Sequence, residues 1–86
     1  MDRTLKKVRT ILREAFPSAE IAIDRPESDS KIGGVVIWKG FSGKDELSRQ
    51  LRLWKELRAK LSIDEQAQVT AILTFTPKEH LVMQEG

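Results

Sequence analysis

The sequence predicts one small α+β domain in which a three-stranded mixed sheet is covered on one face by two main helices. A chain of 86 residues has room for a single hydrophobic core. Hydrophobic residues make up 40% of the chain. Along the sequence, their spacing alternates between that of a helix and that of a strand. The predicted element order is α-β-β-α-(short α)-β-(short α), and residues 1–86 are expected to form one domain.

The N-terminal part is predicted to be a helix followed by a β-hairpin. Apolar residues recur at three- and four-residue spacing between Asp2, a suitable N-cap, and Pro17, which stops the helix. Alternating residues in 19–24 and a run of β-formers in 32–38 predict two strands. The polar, turn-rich segment 25–31 is the expected hairpin loop, and two glycines at the entry of the second strand indicate a bulge or a close backbone approach.

The longest predicted element is the second main helix. A turn at 40–43 precedes it, and Ser42 with Asp45 has capping-box spacing. One side of this helix is predicted to be apolar and buried, because five residues recur at helical spacing: Leu47, Leu51, Trp54, Leu57 and Leu61. Ser62 followed by Glu65 predicts a second capping box, at which the chain breaks and restarts as a short helix.

The C-terminal part is predicted to be a third strand and a short helix. β-Forming residues from Val69 onward alternate, and the third strand can lie parallel to one hairpin strand after a right-handed helical crossover. Thr76-Pro77-Lys78-Glu79 has the pattern of a helix cap with proline at the first helical position. A helical turn through about Met83 is therefore expected.

Composition excludes several kinds of chemistry. The chain has no cysteine, which excludes disulfides, thiolate metal sites and cysteine nucleophiles within it. Its one histidine, His80, has no suitable neighbours for a metal site or a catalytic base, so neither a metal site nor an enzyme is predicted. The longest apolar run is 35–38, far short of a membrane span, and no targeting segment is recognised. A cytoplasmic protein is expected.

The net charge of +2 is unevenly distributed. Residues 1–60 contain 14 basic and nine acidic residues, a net of +5, whereas residues 61–86 contain one basic and four acidic residues, a net of −3. A basic face on the second helix can attract phosphate or an acidic partner, although lysine and arginine also occur on ordinary solvated faces. The candidate partner- or nucleic-acid-binding residues are Trp38, Lys39, Lys44, Arg49, Arg52 and Lys55.

Three separated segments together resemble the BolA family. They are Phe41-Ser42-Gly43-Lys44, then Arg49-Gln50, then the last strand ending in Thr76-Pro77-Lys78-Glu79. The resemblance covers essentially the whole chain, and the element order is that of class II KH-like domains. It implies a non-enzymatic adaptor or regulator whose partner is a monothiol glutaredoxin, with which BolA proteins share an iron-sulfur cluster. Some members are associated with transcriptional control.

The chain departs from this family where cluster ligands are expected. The resemblance implies one His or Cys ligand in the hairpin loop and a His near the start of the last strand. Here the loop 25–31 has neither residue, and the strand position is Gln68. We therefore expect no cofactor and no shared cluster, while contact with a glutaredoxin without a cluster stays open.

Two further alternatives follow from the sequence. Residues 40–43 spell the G-x-x-G loop of nucleic-acid-binding KH domains, but a strand precedes them instead of a helix. The alternative function is nevertheless a nucleic-acid-binding KH-like module or transcriptional regulator that uses the same basic face. The chain is expected to be a monomer or a weak homodimer formed through an open sheet edge.

Overall fold

The computed structural model describes residues 2–85 and has the predicted order of elements. The elements are α1 (Arg3–Ala15), β1 (Glu20–Asp24), β2 (Ile32–Ile37), a 3₁₀ helix (Lys39–Phe41), α2 (Glu46–Lys60), α3 (Ile63–Gln66), β3 (Val69–Phe75) and α4 (Pro77–Glu85). The last helix continues to Glu85, two residues beyond the expected end near Met83.

Side-chain caps begin all four α-helices, including α4, where the hydroxyl of Thr76 accepts from the Glu79 amide as predicted. The carboxylate of Asp2 accepts from the Leu5 amide at 3.0 Å at the start of α1, as predicted. Ser62 and Glu65 form the predicted reciprocal capping box of α3. The predicted role of Ser42 is wrong: the N-cap of α2 is Asp45, whose carboxylate accepts from the Ser48 amide at 2.8 Å. The chain is still turning at Ser42, whose amide donates to the carbonyl of Lys39.

The sheet has the order β1-β2-β3 and is mixed, as predicted. β1 and β2 are antiparallel, while β2 and β3 are parallel. The register shifts by one residue where Ile32 pairs with Val69 but Gly34 pairs with Ile72, so β3 contains an extra residue. Gly34 has φ +149°, and a Cβ at this position would overlap the carbonyl oxygen of Ala22 in β1. Glycine is therefore required where the two strands approach.

The core lies between one face of the sheet and the helices α1 and α2. It is a single cluster of aliphatic side chains and two phenylalanines. Its members are Leu5, Val8, Ile11, Leu12, Phe16, Ile23, Ile32, Val36, Phe41, Leu53, Leu57, Leu61, Val69 and Ile72. On the opposite face, Ala22, Val35 and Leu73 pair across the three strands, and Leu73 is 50% exposed. The two main helices, α1 and α2, thus cover one face, as predicted.

The predicted buried stripe of α2 is wrong for Leu47 and Leu51 but correct for Leu57 and Leu61, which are buried. Leu47 and Leu51 are 68% and 59% exposed, and Trp54 is only partly buried against the core. The helix is instead turned so that Leu53 and Leu57 face the sheet together with the side chain of Arg49. An inward arginine is tolerated here because acceptors surround it, and sequence periodicity does not reveal acceptors.

Candidate functional site

The side chain of Arg49 joins the three segments that carry the family resemblance. Its Nε donates to the carbonyl of Lys44 at 2.9 Å, directly after the Phe41 turn. Its guanidinium forms a two-pronged ion pair with Glu79, Nη1 to Oε1 at 2.7 Å and Nη2 to Oε2 at 3.1 Å. The guanidinium carbon also lies 5.7 Å from the centre of the Phe41 ring. Segments far apart in sequence therefore meet at one arginine.

Glu79 is held by the helix cap as well as by Arg49. Its Oε1 accepts from the Thr76 amide at 2.8 Å, and its own amide donates to the Thr76 hydroxyl at 3.1 Å. The hydrogen bonds from Arg49, followed by that from the Thr76 amide, lower the pKa of Glu79 from 4.5 to about 2. The same ion pair raises the pKa of Arg49. Both groups are charged throughout the physiological range.

The prediction that Arg49 lies on an exposed basic face is therefore wrong, because its side chain is buried. Its side chain is only 8% exposed, and its donors are directed to partners within the molecule. Nη1 also lies 3.3 Å from the carbonyl oxygen of Thr74. Because a planar guanidinium offers five donors, burial costs little where carboxylate and carbonyl oxygens converge on it. The position of Arg49 supports a structural role.

Gln50, beside Arg49, covers the free edge of β3. Its Nε2 donates to the Ile72 carbonyl at 2.8 Å and to Glu46 at 3.1 Å. The carbonyl of Phe75 faces β2, where it accepts from the Trp38 amide. Alternate residues face opposite edges of a strand, so the carbonyls of Ile72 and Thr74 lie on the outer edge. The Arg-Gln pair thus occupies acceptors that another strand could otherwise use.

Trp38 is packed into the structure near the end of α1. Its indole Nε1 donates to the Pro17 carbonyl at 2.9 Å, and its ring meets the rings of Phe16 and Phe41 edge-on at 5.1 and 5.2 Å. The guanidinium of Arg52 lies 5.1 Å from the centre of the Trp38 ring and 5.2 Å from that of Phe16. Of the candidate binding residues, the structure brings Trp38 and Arg52 into direct contact, and both already have partners.

The other candidate cations are exposed. Lys39, Lys44 and Lys55 lie at the surface, and no described carboxylate is within ion-pair distance of them. Lys39 borders a shallow groove with Pro77 and His80, whereas Lys55 lies on the outward face of α2. The six candidate residues therefore do not form one continuous patch.

The hairpin loop is tied to the rest of the molecule by Arg25. Its guanidinium donates to the Asp2 carboxylate at 2.7 Å, to the Ser30 carbonyl at 2.9 Å and to the amide oxygen of Gln68 at 2.6 Å. The hydrogen bond from Arg25, together with that from the Leu5 amide, lowers the pKa of Asp2. Sequence reasoning missed this network because nothing in a polar loop distinguishes an anchoring arginine from a solvated one.

An iron-sulfur cluster does not fit this location. The two positions that the family resemblance assigns to cluster ligands are the hairpin loop and Gln68, which Arg25 connects by a hydrogen bond. A guanidinium and a carboxamide do not replace the thiolate or imidazole that ligates iron in such clusters. Within residues 2–85, no three His, Cys, Asp or Glu side chains are grouped as a metal site requires.

His80 faces the uncovered side of the sheet. Its ring centre lies 6.2 Å from that of Phe75, and it borders the groove together with Glu20 and Lys39. These neighbours supply one carboxylate and one cation, which do not complete a metal site.

The fold and the contacts of Arg49 define a small α+β protein with a mixed sheet packed against helices on one face. Two solved structures share this architecture. BolA1 from Arabidopsis thaliana is 19% identical, with a TM-score of 0.69 over 92% of this chain and 98% of that one. A bol-like protein from Babesia bovis is 20% identical, with a TM-score of 0.65 over 93% of this chain and 92% of that one. The chain therefore has a BolA-like fold.

Comparisons of the sequence with other proteins do not assign the chain to a family. Neither protein-family models nor curated protein sequences give a significant match. In the part of the chain that the structure describes, no helix has the length and apolar character needed to cross a membrane.

Proposed function

We propose that this chain is a non-enzymatic adaptor or regulatory protein of BolA type that acts by binding another protein. The observation that carries the proposal is the convergence of the Phe41 turn, Arg49 and the Thr76–Glu79 cap in one set of contacts. A BolA-like fold built around these residues supports similarity of role as well as of shape. The proposal does not include a shared iron-sulfur cluster, because the donor groups at the relevant position do not suit iron.

The proposal that the chain is not an enzyme is supported by how its polar groups are used. The hydroxyls of Ser62 and Thr76 accept hydrogen bonds at helix starts, where their role is structural. The imidazole of His80 lies beside Phe75 rather than beside a hydroxyl that it could activate.

The proposed partner is a monothiol glutaredoxin, and the proposed contact surface is the exposed basic part of α2. We place in the proposed surface Lys44, just before α2, and Arg52 and Lys55 on it, which are exposed, and leave out Arg49, whose side chain is turned inward. Cations at the surface increase the rate of association with an acidic partner and contribute to specificity.

A titration of the ¹⁵N-labelled protein with a monothiol glutaredoxin tests the proposal. The glutaredoxin is used first without a cluster and then with a reconstituted one. We expect amide shifts in α2 in both experiments, and weaker binding by a Lys44→Glu/Lys55→Glu variant. A Lys6→Glu/Arg13→Glu variant, altered at exposed positions of α1, is the matched control. Unchanged spectra in both titrations would refute glutaredoxin binding.

Nucleic-acid binding is the second candidate function, favoured by the exposed lysines without ion-pair partners. If phosphate contacts drive binding, the logarithm of affinity falls by roughly 0.7–0.9 per contacted phosphate for each tenfold rise in salt. Fluorescence anisotropy with mixed-sequence DNA and RNA at low salt measures this. No change in anisotropy at low salt would eliminate this candidate. Analytical ultracentrifugation separately distinguishes the expected monomer from a weak homodimer.

A further inference from the structure

The outward face of α2 carries two leucines that contribute nothing to the core. Leu47 and Leu51 are four residues apart, so they lie one above the other on the helix surface, and they are 68% and 59% exposed. Trp54 continues the line three residues later and is only partly buried. The guanidinium of Arg58 lies 5.9 Å from the centre of the Trp54 ring. The 47–58 stripe, as we call these four residues, is an apolar line on the surface that ends in a cation.

Apart from Glu46 and the half-buried Glu56, the charged residues of α2 are all basic. After Glu46, whose carboxylate is bonded to Gln50 and Thr74, no exposed residue of α2 is acidic. The exposed residues are Leu47, Ser48, Leu51, Arg52, Lys55, Arg58, Ala59 and Lys60. Lys60 approaches Glu14 of α1 at 3.8 Å, and the other three cations have no described ion-pair partner.

We propose that the 47–58 stripe docks an amphipathic helix of a partner protein, with apolar residues on one face and acidic residues beside them. This inference rests on the proposed function and specifies the chemistry of the partner. Helix-to-helix docking uses anchors at i, i+4 and i+7, which is the spacing of Leu47, Leu51 and Trp54. Acidic side chains on the incoming helix would be attracted to Arg52, Lys55 and Arg58.

The same observations disfavour two other occupants. A second copy of the chain docked face to face through this stripe would bring two identical sets of cations, Arg52, Lys55 and Arg58, into one interface, and like charges there oppose association. A nucleic acid would use the cations, but the two leucines at the middle of the face offer neither stacking surfaces nor hydrogen bonds to bases. The combination of aliphatic anchors with basic neighbours fits an acidic helix best.

The test uses the full chain and two synthetic helical peptides. One has leucines at alternating three- and four-residue spacing with glutamates on both flanks, and the other has lysines in place of the glutamates. Binding is measured by fluorescence anisotropy of the labelled peptide and mapped by amide shifts. We expect the glutamate peptide to bind through α2 and the lysine peptide not to bind. Raising salt should weaken the complex, since the charges involved are exposed.

Substitution of the anchors tests the role of the leucines. A Leu47→Ser/Leu51→Ser variant should bind the glutamate peptide about tenfold more weakly or worse, because each leucine would lose an apolar contact. An Ile63→Ser variant is the matched control, since Ile63 is 84% exposed and lies on α3. Circular dichroism and thermal unfolding show whether both variants are folded. Substitution of exposed residues should leave the fold intact.

The outcomes separate this inference from the proposed function. The docking proposal is overturned if the glutamate peptide fails to bind the wild-type chain, or if the two-serine variant binds it as well as the wild type does. It is also overturned if DNA occupies the face and the serine substitutions leave DNA binding unchanged. If a glutaredoxin binds with shifts in α2 that the serine variant retains, the proposed function stands and the docking proposal fails. If the peptide binds and glutaredoxin does not, the choice of glutaredoxin fails instead.

Discussion

Arg49 joins three segments of the chain through its side chain. Burying a cation is unfavourable unless its donors are all engaged, and here they reach Lys44, Thr74 and Glu79, which belong to three different segments. Lysine would not suffice at this position. Its single ammonium group cannot pair with both carboxylate oxygens of Glu79 and also reach the Lys44 carbonyl with the same geometry.

We expect Arg49→Ala to destabilise the protein by about 2–3 kcal/mol, because it removes buried hydrogen bonds and leaves carbonyl acceptors without donors. Arg49→Lys should recover only part of this loss. Lys55→Ala, on the exposed side of the same helix, is the control and should change stability by no more than about 0.5 kcal/mol. Urea denaturation followed by circular dichroism measures all three. Equal effects of the two alanine substitutions would contradict the structural role of Arg49.

Stability should depend on pH through Glu79. A carboxyl group whose pKa is lower in the folded state than in the unfolded chain stabilises the fold above its unfolded pKa. This contribution is lost as the pH falls from 4.5, the ordinary pKa of Glu79, to about 2, its pKa in the folded protein. We expect Glu79→Gln to be less stable than the wild type at neutral pH and to approach it as the pH falls through this range.

Denaturation series at several pH values test this expectation. Asp2, Asp45 and Glu65 also have lowered pKa values, so the wild type loses stability in acid for several reasons. The difference between wild type and Glu79→Gln isolates the contribution of Glu79. A difference that stays constant from neutral pH to about pH 2 would show that the ion pair does not stabilise the fold.

Among the elements, α2 shows most clearly where sequence reasoning succeeds and fails. The existence and approximate length of the helix follow from apolar periodicity and the capping residues that flank it. Its rotation does not, because two overlapping apolar stripes share Leu57 and Leu61, and the more regular one includes Leu47 and Leu51. The actual inner stripe contains Arg49, which is stabilised by acceptors brought in from β3 and α4. Local spacing cannot reveal such long-range partners.

β3 presents a related difficulty, because the regular alternation of buried and exposed residues is interrupted within the strand. Val69 and Ile72 are both buried although they are three residues apart, while Thr70 and Ala71 are both exposed. The extra residue at the register shift opposite Gly33 causes this change. Regular alternation therefore predicts the strand correctly but not which of its residues are buried. The two glycines of β2 were the signal for an irregularity at this place.

The glycines provide a test of this part of the sheet. Gly34→Ala should destabilise the protein by about 3 kcal/mol or more, because the new methyl would overlap the Ala22 carbonyl in a backbone conformation that already disfavours side chains. Gly43→Ala, at φ +77° but with no atom within 4 Å of the new methyl, should cost about 1–2 kcal/mol. Urea denaturation compares them. A smaller loss for Gly34→Ala than for Gly43→Ala would contradict the described approach of β1 and β2.

At the scale of the whole molecule, the distribution of charge along the sequence predicts a basic surface, but it does not predict which residues are exposed on that surface. Charge and aromatic character mark Trp38 and Arg49 as candidate binding residues, yet the indole of Trp38 and the guanidinium of Arg49 are engaged in packing and internal hydrogen bonds. The helical spacing of Leu47 and Leu51 predicts burial in the core, but both are exposed. An apolar stripe on a helix has the same sequence pattern whether it is buried in the core or exposed to solvent. Which of the two applies depends on which side of the helix packs against the sheet.

The Arg25 network connects three distant parts of the chain and should affect all of them together. Arg25→Ala removes the donors that reach Asp2 in the cap of α1, Ser30 in the hairpin loop and Gln68 before β3. We expect a loss of about 2 kcal/mol in stability and faster amide hydrogen exchange in all three segments. The pKa of Asp2 should rise toward its ordinary value, because its hydrogen bond from Arg25 is the main cause of the lowering.

Two variants make this prediction specific. Arg25→Lys keeps the positive charge but lacks the planar guanidinium with its several donors. Compared with Arg25→Ala, it should therefore bring back most of the lowering of the Asp2 pKa but less of the slow amide exchange near Gln68. Arg9→Ala, which removes the donor to the Ile23 carbonyl at 2.9 Å, should affect only α1 and β1. Hydrogen exchange followed by NMR and a pH titration of the Asp2 carboxyl provide both measurements. Faster exchange confined to the hairpin loop in Arg25→Ala would mean that Arg25 does not couple the three segments.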